Sequence, residues 1–213
     1  MPVRKVFWEN PYLTELEASV TSVDQNNITV DRTIAFAFSG GQESDSGTIG
    51  GYKIIEAEKK GNQIIYCLDE HTLSVGDPVL IAIDWSRRYR LMRLHFAAEI
   101  VLELIYQHFD RPEKVGAHIS ETKARVDFYW QGNISKTFPL LENEIHQLVA
   151  RDLPIISAFN DPEKEYRYWE IDGFAKVPCG GTHIKRTGEI GSLLLKRNNI
   201  GKGKERIEIY LND

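Results

Sequence analysis

Residues 86–109 read SRRYRLMRLHFAAEIVLELIYQHF. The pattern of the chain changes at this segment, so it separates two parts with different secondary structure. Apolar residues recur in it every three or four positions, which is the spacing of one face of an α-helix. The spacing predicts one long helix from Ser86 to about Phe109 that buries a single apolar stripe. The residues of that stripe are Leu91, Leu94, Ala98, Val101, Leu102 and Ile105.

The residues before this helix follow a different pattern, with short β-type segments separated by turn residues. Turn signals are the sequences DQNN at 24–27, KGN at 60–62 and GDP at 76–78. Many short strands at this spacing predict a small β-barrel-like domain. The predicted strands are Leu16–Val23, Ile28–Val30, Thr33–Phe38, Thr48–Glu58, Gln63–Leu68 and Pro78–Asp84.

The residues after the long helix combine a second helix with further strands. Pro139 suits the first turn of a helix that runs to Asp152, and Pro154 prevents its continuation. The predicted class is therefore α+β, with a β-barrel-like domain at 1–85 packed on an α+β domain at 86–213. The strands predicted for the second domain are Lys123–Trp130, Tyr166–Ile171, Gly191–Lys196 and Glu205–Leu211.

The composition is that of a water-soluble globular protein. The chain has 213 residues, of which 42% are hydrophobic and 27% charged, and its formal net charge is -5. That charge disfavours a sequence-independent nucleic-acid binder, which is usually basic overall. The N-terminal residues do not resemble a secretory signal, and no run of about 18 apolar residues is present, so we expect a cytoplasmic protein without membrane segments. We expect Cys67 and Cys179 to remain reduced, and the sequence leaves the oligomeric state open.

His95 and Glu99 form the first candidate for chemistry. Residues four apart on a helix lie on one face, so both side chains could reach one metal ion. Both lie on the shoulder of the apolar stripe, where a partly buried cleft can form. A half-buried histidine beside a solvated glutamate is the alternative interpretation of this pair alone.

Cys179-Gly180-Gly181-Thr182-His183 is the second candidate. A thiolate and an imidazole four positions apart, joined by two glycines, can bind one ion from two sides. A Gly-Gly turn with a buried cysteine is the alternative. Together with His95 and Glu99 the motif offers N, O and S donors from distant segments, and zinc accepts this mixture. A chain with an ample core does not need a metal to fold, so we expect a catalytic metal.

The glycine-rich segment at 39–51, SGGQESDSGTIGG, is the third candidate. It lacks the Gly-Lys-Ser/Thr ending of a P-loop and leads into a strand, so it is not a dinucleotide-binding turn either. One interpretation is a hairpin loop of small residues. The other is a flexible ligand-binding loop with exposed amides, in which Gly40, Gly41 and Gln42 contact the substrate.

Two groups of basic residues flank the predicted metal ligands in sequence. A solvated basic face is the usual meaning of such groups, but in an acidic protein they could hold a phosphate backbone. The first group is Arg87, Arg88, Arg90 and Arg93, and the second is Lys185, Arg186, Lys196, Arg197, Lys202, Lys204 and Arg206.

These motifs together resemble the freestanding alanyl-tRNA editing proteins of the AlaX type and the editing domain of alanyl-tRNA synthetase. The strongest match is CGGTH at 179–183, followed by TGEIG at 187–191 and GKERIE at 203–208. DWSRR at 84–88, ARVDF at 124–128 and the glycine-rich segment add to it, in the right order over nearly the whole chain. No aminoacylation segment is recognised, so the resemblance is to a stand-alone protein.

The resemblance implies a carboxylic ester hydrolase that deacylates tRNA(Ala) carrying serine or glycine. It implies one zinc ion per chain, held by His95, Cys179, His183 and Glu99 as the catalytic centre. It also implies that Gly181 and Thr182 line the substrate site, together with the glycine-rich segment.

Two positions depart from the family pattern. The family has His-x-x-x-His on the helix, whereas this chain has Glu99 in the second place, so Glu99 is a metal ligand, a displaced base or a sign of weak metal binding. Ser39 stands where a third glycine is usual.

Three other functions remain open from the residues alone. The same fold could act on a different mischarged tRNA. It could be a tRNA-binding zinc module without catalysis, in which Glu99 marks the lost activity. A metal-dependent esterase for small molecules would fit the ligands but would leave the basic groups unexplained.

Overall fold

The computed structural model describes residues 2–212, and the chain divides into two compact units. Unit 1 comprises Met1–Ser39 and Glu43–Tyr89, and unit 2 comprises Gly40–Gln42 and Arg90–Asp213. The division falls after Tyr89 rather than after Trp85. The segment Gly40–Gln42, assigned from the sequence to the N-terminal domain, belongs to unit 2 because Gln42 forms a β-bridge with Ile119.

Unit 1 consists of strands, one helical turn, α1 (Val6–Glu9), and the first residues of a long helix that begins at Trp85. Six of the strands close into a barrel, in the order β2-β3-β7-β6-β5-β8, and β1 pairs in parallel with β4. Its core is a continuous cluster of buried apolar side chains that includes Val20, Ile28 and Ile81. The strands are β1 (Arg4–Lys5), β2 (Glu15–Asp24), β3 (Asn27–Val30), β4 (Arg32–Thr33), β5 (Gly47–Ile49), β6 (Tyr52–Lys60), β7 (Gln63–Leu68) and β8 (Pro78–Ile83).

The strand predicted at Thr33–Phe38 is wrong beyond Thr33. Residues 34–37 are buried as a strand of the core would be, but they form no ladder. Side chains take the place of ladder partners: Asp45 Oδ2 accepts from the Phe36 amide at 2.6 Å, and Ser44 Oγ accepts from the Phe38 amide at 2.9 Å. Apolar residues alone therefore did not distinguish a strand from a buried irregular segment.

The single strand predicted at Thr48–Glu58 is also wrong, since the structure has the two strands β5 and β6 there. Gly50 and Gly51 have φ values of 61° and 85°, which favour glycine, and they form the two-residue turn of a hairpin. Ile49 pairs with Tyr52 across this turn.

The long helix α2 extends from Trp85 to His108, one residue from each predicted end. Asp84 starts it, because its carboxylate accepts from the Arg87 amide at 3.1 Å. The prediction of a single apolar stripe is wrong: Met92, Phe96 and Ala97, which lie off that stripe, are fully buried as well. A helix buried on most of its circumference brings His95 into the interior rather than to a shoulder.

Unit 2 contains the rest of α2, helix α3 (Phe138–Arg151) and two antiparallel sheets, so the mixed helix and strand content expected from the sequence is confirmed. The order of the four-stranded sheet is β14-β15-β10-β9, and that of the three-stranded sheet is β11-β12-β13. Strands β9, β11 and β13 were not predicted, because they lack a clean alternation of apolar residues. The strands are β9 (Lys114–Ile119), β10 (Ala124–Tyr129), β11 (Ile156–Asp161), β12 (Tyr166–Ile171), β13 (Ala175–Pro178), β14 (Leu193–Gly201) and β15 (Lys204–Leu211).

Two further expectations have a direct structural outcome. Cys67 and Cys179 are both free thiols, as predicted. Among residues 2–212, none of the helices combines the length and the apolar character that a membrane crossing requires.

Candidate metal centre

Three predicted ligands meet inside unit 2. His95 comes from α2, Cys179 directly follows β13, and His183 lies four residues further on; one ligand atom of each falls within 4.8 Å of the other two. The distances to Cys179 Sγ are 3.2 Å from His95 Nε2 and 3.3 Å from His183 Nε2. Zinc bonds of about 2.0–2.3 Å in a tetrahedron place neighbouring donor atoms roughly 3.3–3.6 Å apart. Both imidazole nitrogens therefore lie close to the distance from the sulfur that ligands of one ion have, and all three donors lie within 4.8 Å of one another.

One of the two glycines of the CGGTH motif, Gly181, has a steric reason to be there. A Cβ atom at residue 181 would lie 2.4 Å from Cε1 and 2.7 Å from Nε2 of His95, whereas a Cβ at residue 180 would meet nothing within 4 Å. Arg167 holds the same turn, since its backbone carbonyl accepts from the Cys179 amide at 2.9 Å and its Nη1 donates to the Gly181 carbonyl at 3.1 Å. The turn thus brings Cys179 and His183 close to the His95 ring.

The environment favours neutral imidazoles with a nitrogen available for a metal. Burial lowers the pKa of His95, and it lowers the pKa of His183 further with the help of the nearby His95 and Arg167. His183 Nδ1 lies 2.8 Å from Ser157 Oγ, which orients the ring so that Nε2 faces Cys179.

Cys179 must lose its thiol proton to bind a metal, and a nearby positive charge favours that loss. Burial raises the pKa of its thiol, and the neighbouring Glu99 carboxylate raises it further. A bound divalent ion reverses this balance, because a coordinating thiol is deprotonated outright. Two imidazole nitrogens and one thiolate are the donor set that suits zinc, so the residues present fit the metal that the sequence predicted.

Glu99 lies beside the three donors but outside their 4.8 Å group. Its Oε1 is 3.7 Å from both His95 Nε2 and Cys179 Sγ, and its Oε2 accepts a hydrogen bond from Trp169 Nε1 at 3.2 Å. Trp169 is fully buried, and the Glu99 side chain is 20% exposed. The carboxylate is therefore oriented by the indole, with one oxygen directed to the edge of the cluster.

The glycine-rich segment is anchored, which corrects the interpretation of 39–51 as a flexible loop with an available Gln42. Gln42 is fully buried; its Nε2 donates to Thr182 Oγ1 at 2.8 Å, and its Oε1 accepts from the Thr182 amide at 3.3 Å. The Ile119 amide donates to the Gly41 carbonyl at 2.7 Å. Gly41 has a φ of 88°, and a Cβ there would lie 2.6 Å from the Ala117 carbonyl oxygen. Gly40 has open space around its Cα hydrogens and meets no such limit.

Some residues of the centre are buried, and others are partly exposed to solvent. His95, His183, Gln42 and Thr182 are buried, whereas Cys179 and Glu99 are partly exposed. A cleft of about 230 Å³ opens on the Glu99 side. Its lining residues are Glu99, Leu102, Glu103, Tyr106, Arg111, Lys176, Val177 and Pro178.

Three of the four arginines that precede His95 hydrogen-bond to other groups of the protein, which argues against their interpretation as a phosphate-binding group. Arg88 is fully buried and pairs with Asp45, and its Nη1 also donates to the Pro11 carbonyl at 2.9 Å. Arg87 donates to Glu43 at 2.7 Å, and Arg93 to the Ile190 carbonyl at 3.0 Å.

Sequence reasoning missed three residues that support the centre: Ser157, Arg167 and Trp169. Arg167 and Trp169 alternate with less buried residues along β12, and the apolar–polar alternation there was a signal that they point inward. No comparable signal marked Ser157, because its role depends on how β11 pairs with β12.

Comparisons with known proteins identify alanyl-tRNA editing proteins and alanine–tRNA ligases as similar sequences. The family described as "Threonyl and Alanyl tRNA synthetase second additional domain" matches residues 168–208, which include Cys179 and His183. The chain is 33% identical over 213 residues to the alanyl-tRNA editing protein AlaX-M of Pyrococcus horikoshii, with 98% of this chain and 97% of that protein covered. It is 31% identical to AlaX-M of Saccharolobus solfataricus, covering 96% of that protein. The alanine–tRNA ligase of Ignicoccus hospitalis is 32% identical, but the match covers only 26% of the ligase.

Proposed function

This chain belongs to the alanyl-tRNA editing proteins of the AlaX-M type, and we propose that it removes a wrongly attached serine or glycine from tRNA(Ala). As a member of that family it is an aminoacyl-tRNA hydrolase. The bond to be broken is the ester between the amino acid and the terminal ribose. The oxygen of a water molecule bonds to the carbonyl carbon, the ester C–O bond breaks, and the ribose oxygen receives a proton.

The observation that carries this proposal is the convergence of His95, Cys179 and His183 within 4.8 Å. The three donors come from segments more than 80 residues apart in the chain, so folding of unit 2 assembles them. A structural zinc site in a small domain draws its ligands from neighbouring positions instead. The distant origin of the ligands fits a reaction centre.

Zinc is the metal we propose for the centre, one ion per chain, with His95, Cys179 and His183 as ligands and Glu99 Oε1 as the fourth donor. When bound by these four donors, zinc would supply Lewis-acid chemistry on accepting a fifth ligand, lowering the pKa of a water molecule or polarising an ester carbonyl. Trp169 holds Glu99 through Oε2 and leaves Oε1 directed at the cluster. Ser157 and Arg167 orient His183 and the 179–181 turn.

Discrimination between serine and alanine depends, in this proposal, on buried polar groups next to the centre. Gln42 donates to the Thr182 hydroxyl, so the proton of that hydroxyl remains available for a substrate oxygen. A serine hydroxyl can pair there, whereas alanine leaves this buried group unpaired. Such a mismatch is worth about 10⁴–10⁵ in rate in sites built to bind a hydroxyl. Gly40, Gly41 and Gly181 complete this wall of the substrate site.

The test is a panel of charged tRNAs given to the full chain with zinc. We expect release of serine, and of glycine, from tRNA(Ala), with alanyl-tRNA(Ala) left intact as the matched control. Turnover on a different mischarged tRNA instead would assign the fold to another cognate. Tight tRNA binding without any release of amino acid would identify a binding module and refute the proposed activity.

A further inference from the structure

The outward face of the four-stranded sheet in unit 2 has an unusual combination of tyrosines and basic residues. Side chains alternate along β15, so Glu205, Ile207 and Ile209 are buried while residues 204, 206, 208 and 210 point outward. Cross-strand pairing brings Tyr129 next to Lys204 on this face. We call it the Tyr–Lys face and define it by Lys123, Tyr129, Lys196, Lys204, Arg206 and Tyr210.

The ammonium groups of two lysines of this face lie over tyrosine rings. Lys204 Nζ is 5.1 Å from the centre of the Tyr129 ring, and Lys196 Nζ is 5.0 Å from that of Tyr210. Tyr129 is 46% exposed, and Lys196 is exposed. Within residues 2–212 neither lysine forms an ion pair: Glu208, which lies opposite Lys196 on β15, pairs with Lys123 instead. Both charges can therefore also contact a ligand.

The acidic residues on the same face are already neutralised. Asp127 accepts from Arg206 at 2.7 Å and also pairs with Arg125. Glu208 accepts from Lys123 at 2.7 Å and from the Tyr210 hydroxyl at 3.0 Å. A protein with a formal net charge of -5 therefore has a locally positive face with aromatic rings set into it.

We propose that the Tyr–Lys face binds the body of the tRNA substrate through its phosphates and ribose or base surfaces. This inference rests on the proposed function, since it names the surface that would hold the substrate of that reaction. Lysines bind phosphate as point charges, and aromatic rings offer stacking surface that tolerates any base. The segment of β15 from Lys204 to Tyr210 extends over roughly 20 Å at about 3.3 Å per residue, so it can follow several phosphates.

The same sheet connects this face to the metal centre within unit 2. Its edge strand β9 pairs with Gln42 through Ile119, and Gln42 is hydrogen-bonded to Thr182, next to Gly181 and the His95 ring. A tRNA held by the sheet is thereby held by the element that also fixes the residues beside the centre.

The test measures binding of uncharged tRNA(Ala) as a function of salt concentration, with the double variant Lys196→Ala/Lys204→Ala. We expect affinity to fall roughly tenfold, and the slope of log affinity against log salt to decrease by about 1.5–2, because each lysine that neutralises a phosphate contributes close to one. Tyr129→Ala should weaken binding several-fold with little change in that slope. Lys164→Ala is the matched control, since it removes an exposed lysine of unit 2 that pairs with Asp161, and it should bind like wild type.

A second measurement separates this inference from the proposed function. The double variant should raise KM for seryl-tRNA(Ala) and hydrolyse the 3′-seryl ester of adenosine at the wild-type rate. Unchanged tRNA binding by the variant, with a wild-type protein that binds and deacylates, would overturn the Tyr–Lys face alone. Equal loss on the small ester would also overturn it, because the variant would then be acting on the centre. A wild-type protein that neither binds nor deacylates any tRNA would refute both.

Discussion

Gly181 has no space for a side chain, whereas its neighbour Gly180 has open space. We predict that Gly181→Ala displaces the His95 ring, because the new methyl group would lie 2.4 Å from His95 Cε1. Bound zinc, measured by elemental analysis, should fall well below one ion per chain, and deacylation should fall with it. Gly180→Ala should keep both, since open space surrounds that position. Equal effects of the two substitutions would mean that the contact with His95 is not the cause.

Trp169 fixes Glu99 through a single hydrogen bond. The substitution Trp169→Phe keeps an aromatic ring beside Phe96 but removes the indole N–H that Glu99 accepts. We predict a 10–100-fold loss of zinc affinity, the range seen when a partner of a metal ligand is removed. Competition with a chelator of known affinity measures this. Unchanged affinity would show that zinc binding does not depend on the position of Glu99.

The principal donors could be predicted from the sequence because two motifs were combined. The His95–Glu99 pair and the CGGTH motif each have an ordinary structural alternative, but together they offer N, O and S donors that suit zinc, in the order of a known family. Ser157 and Trp169 could not be predicted in the same way. Their contacts depend on which strands pair with β12, and the register of the pairing is not visible in the sequence.

Secondary elements were predictable where hydrogen bonds stay within the backbone. The strands Gln63–Leu68 and Tyr166–Ile171 have the predicted bounds, and α2 is shifted by one residue at each end. Prediction failed at residues 34–38, where the Asp45 and Ser44 side chains serve as partners for the backbone amides. Such long-range side-chain contacts have no local signature.

The hairpin of β14 and β15 contains a buried carboxylate that makes stability depend on pH. Glu205 is 1% exposed and accepts two hydrogen bonds from Arg197, at 2.5 and 2.6 Å, and one from Asn199. The hydrogen bonds from Arg197 lower the pKa of Glu205. Its contribution is therefore fully present above the unfolded pKa of about 4.3 and is lost as pH falls through the lower folded value.

We predict that Glu205→Gln lowers the free energy of unfolding at pH 7 by roughly 1–3 kcal/mol, as expected for hydrogen bonds to a charged group. The difference from wild type should shrink as pH falls below about 4, where the wild-type carboxyl also becomes neutral. Urea unfolding at several pH values measures this. A difference that stays constant with pH would contradict the assigned role of the charge.

The mixed helix and strand content of the molecule could be predicted from the sequence. The contacts of the glycine-rich segment, and the unit to which Gly40–Gln42 belongs, could not. Gly40–Gln42 belongs to unit 2 while Glu43 and the following residues belong to unit 1. This division depends on the contacts of Gln42 with Ile119 and Thr182, far along the chain. Spacing along the sequence contains no information about such a partner.

We propose that the centre formed by His95, Cys179 and His183 makes the whole protein a zinc-dependent deacylase. The most direct test follows release of serine from seryl-tRNA(Ala) by the metal-free protein before and after addition of zinc, with alanyl-tRNA(Ala) and the Cys179→Ala variant in parallel. We predict that release falls at least 100-fold without metal, returns with zinc in the wild type but not in the variant, and leaves alanine attached throughout. Full activity of the metal-free protein or of Cys179→Ala would show that this centre is not required for deacylation.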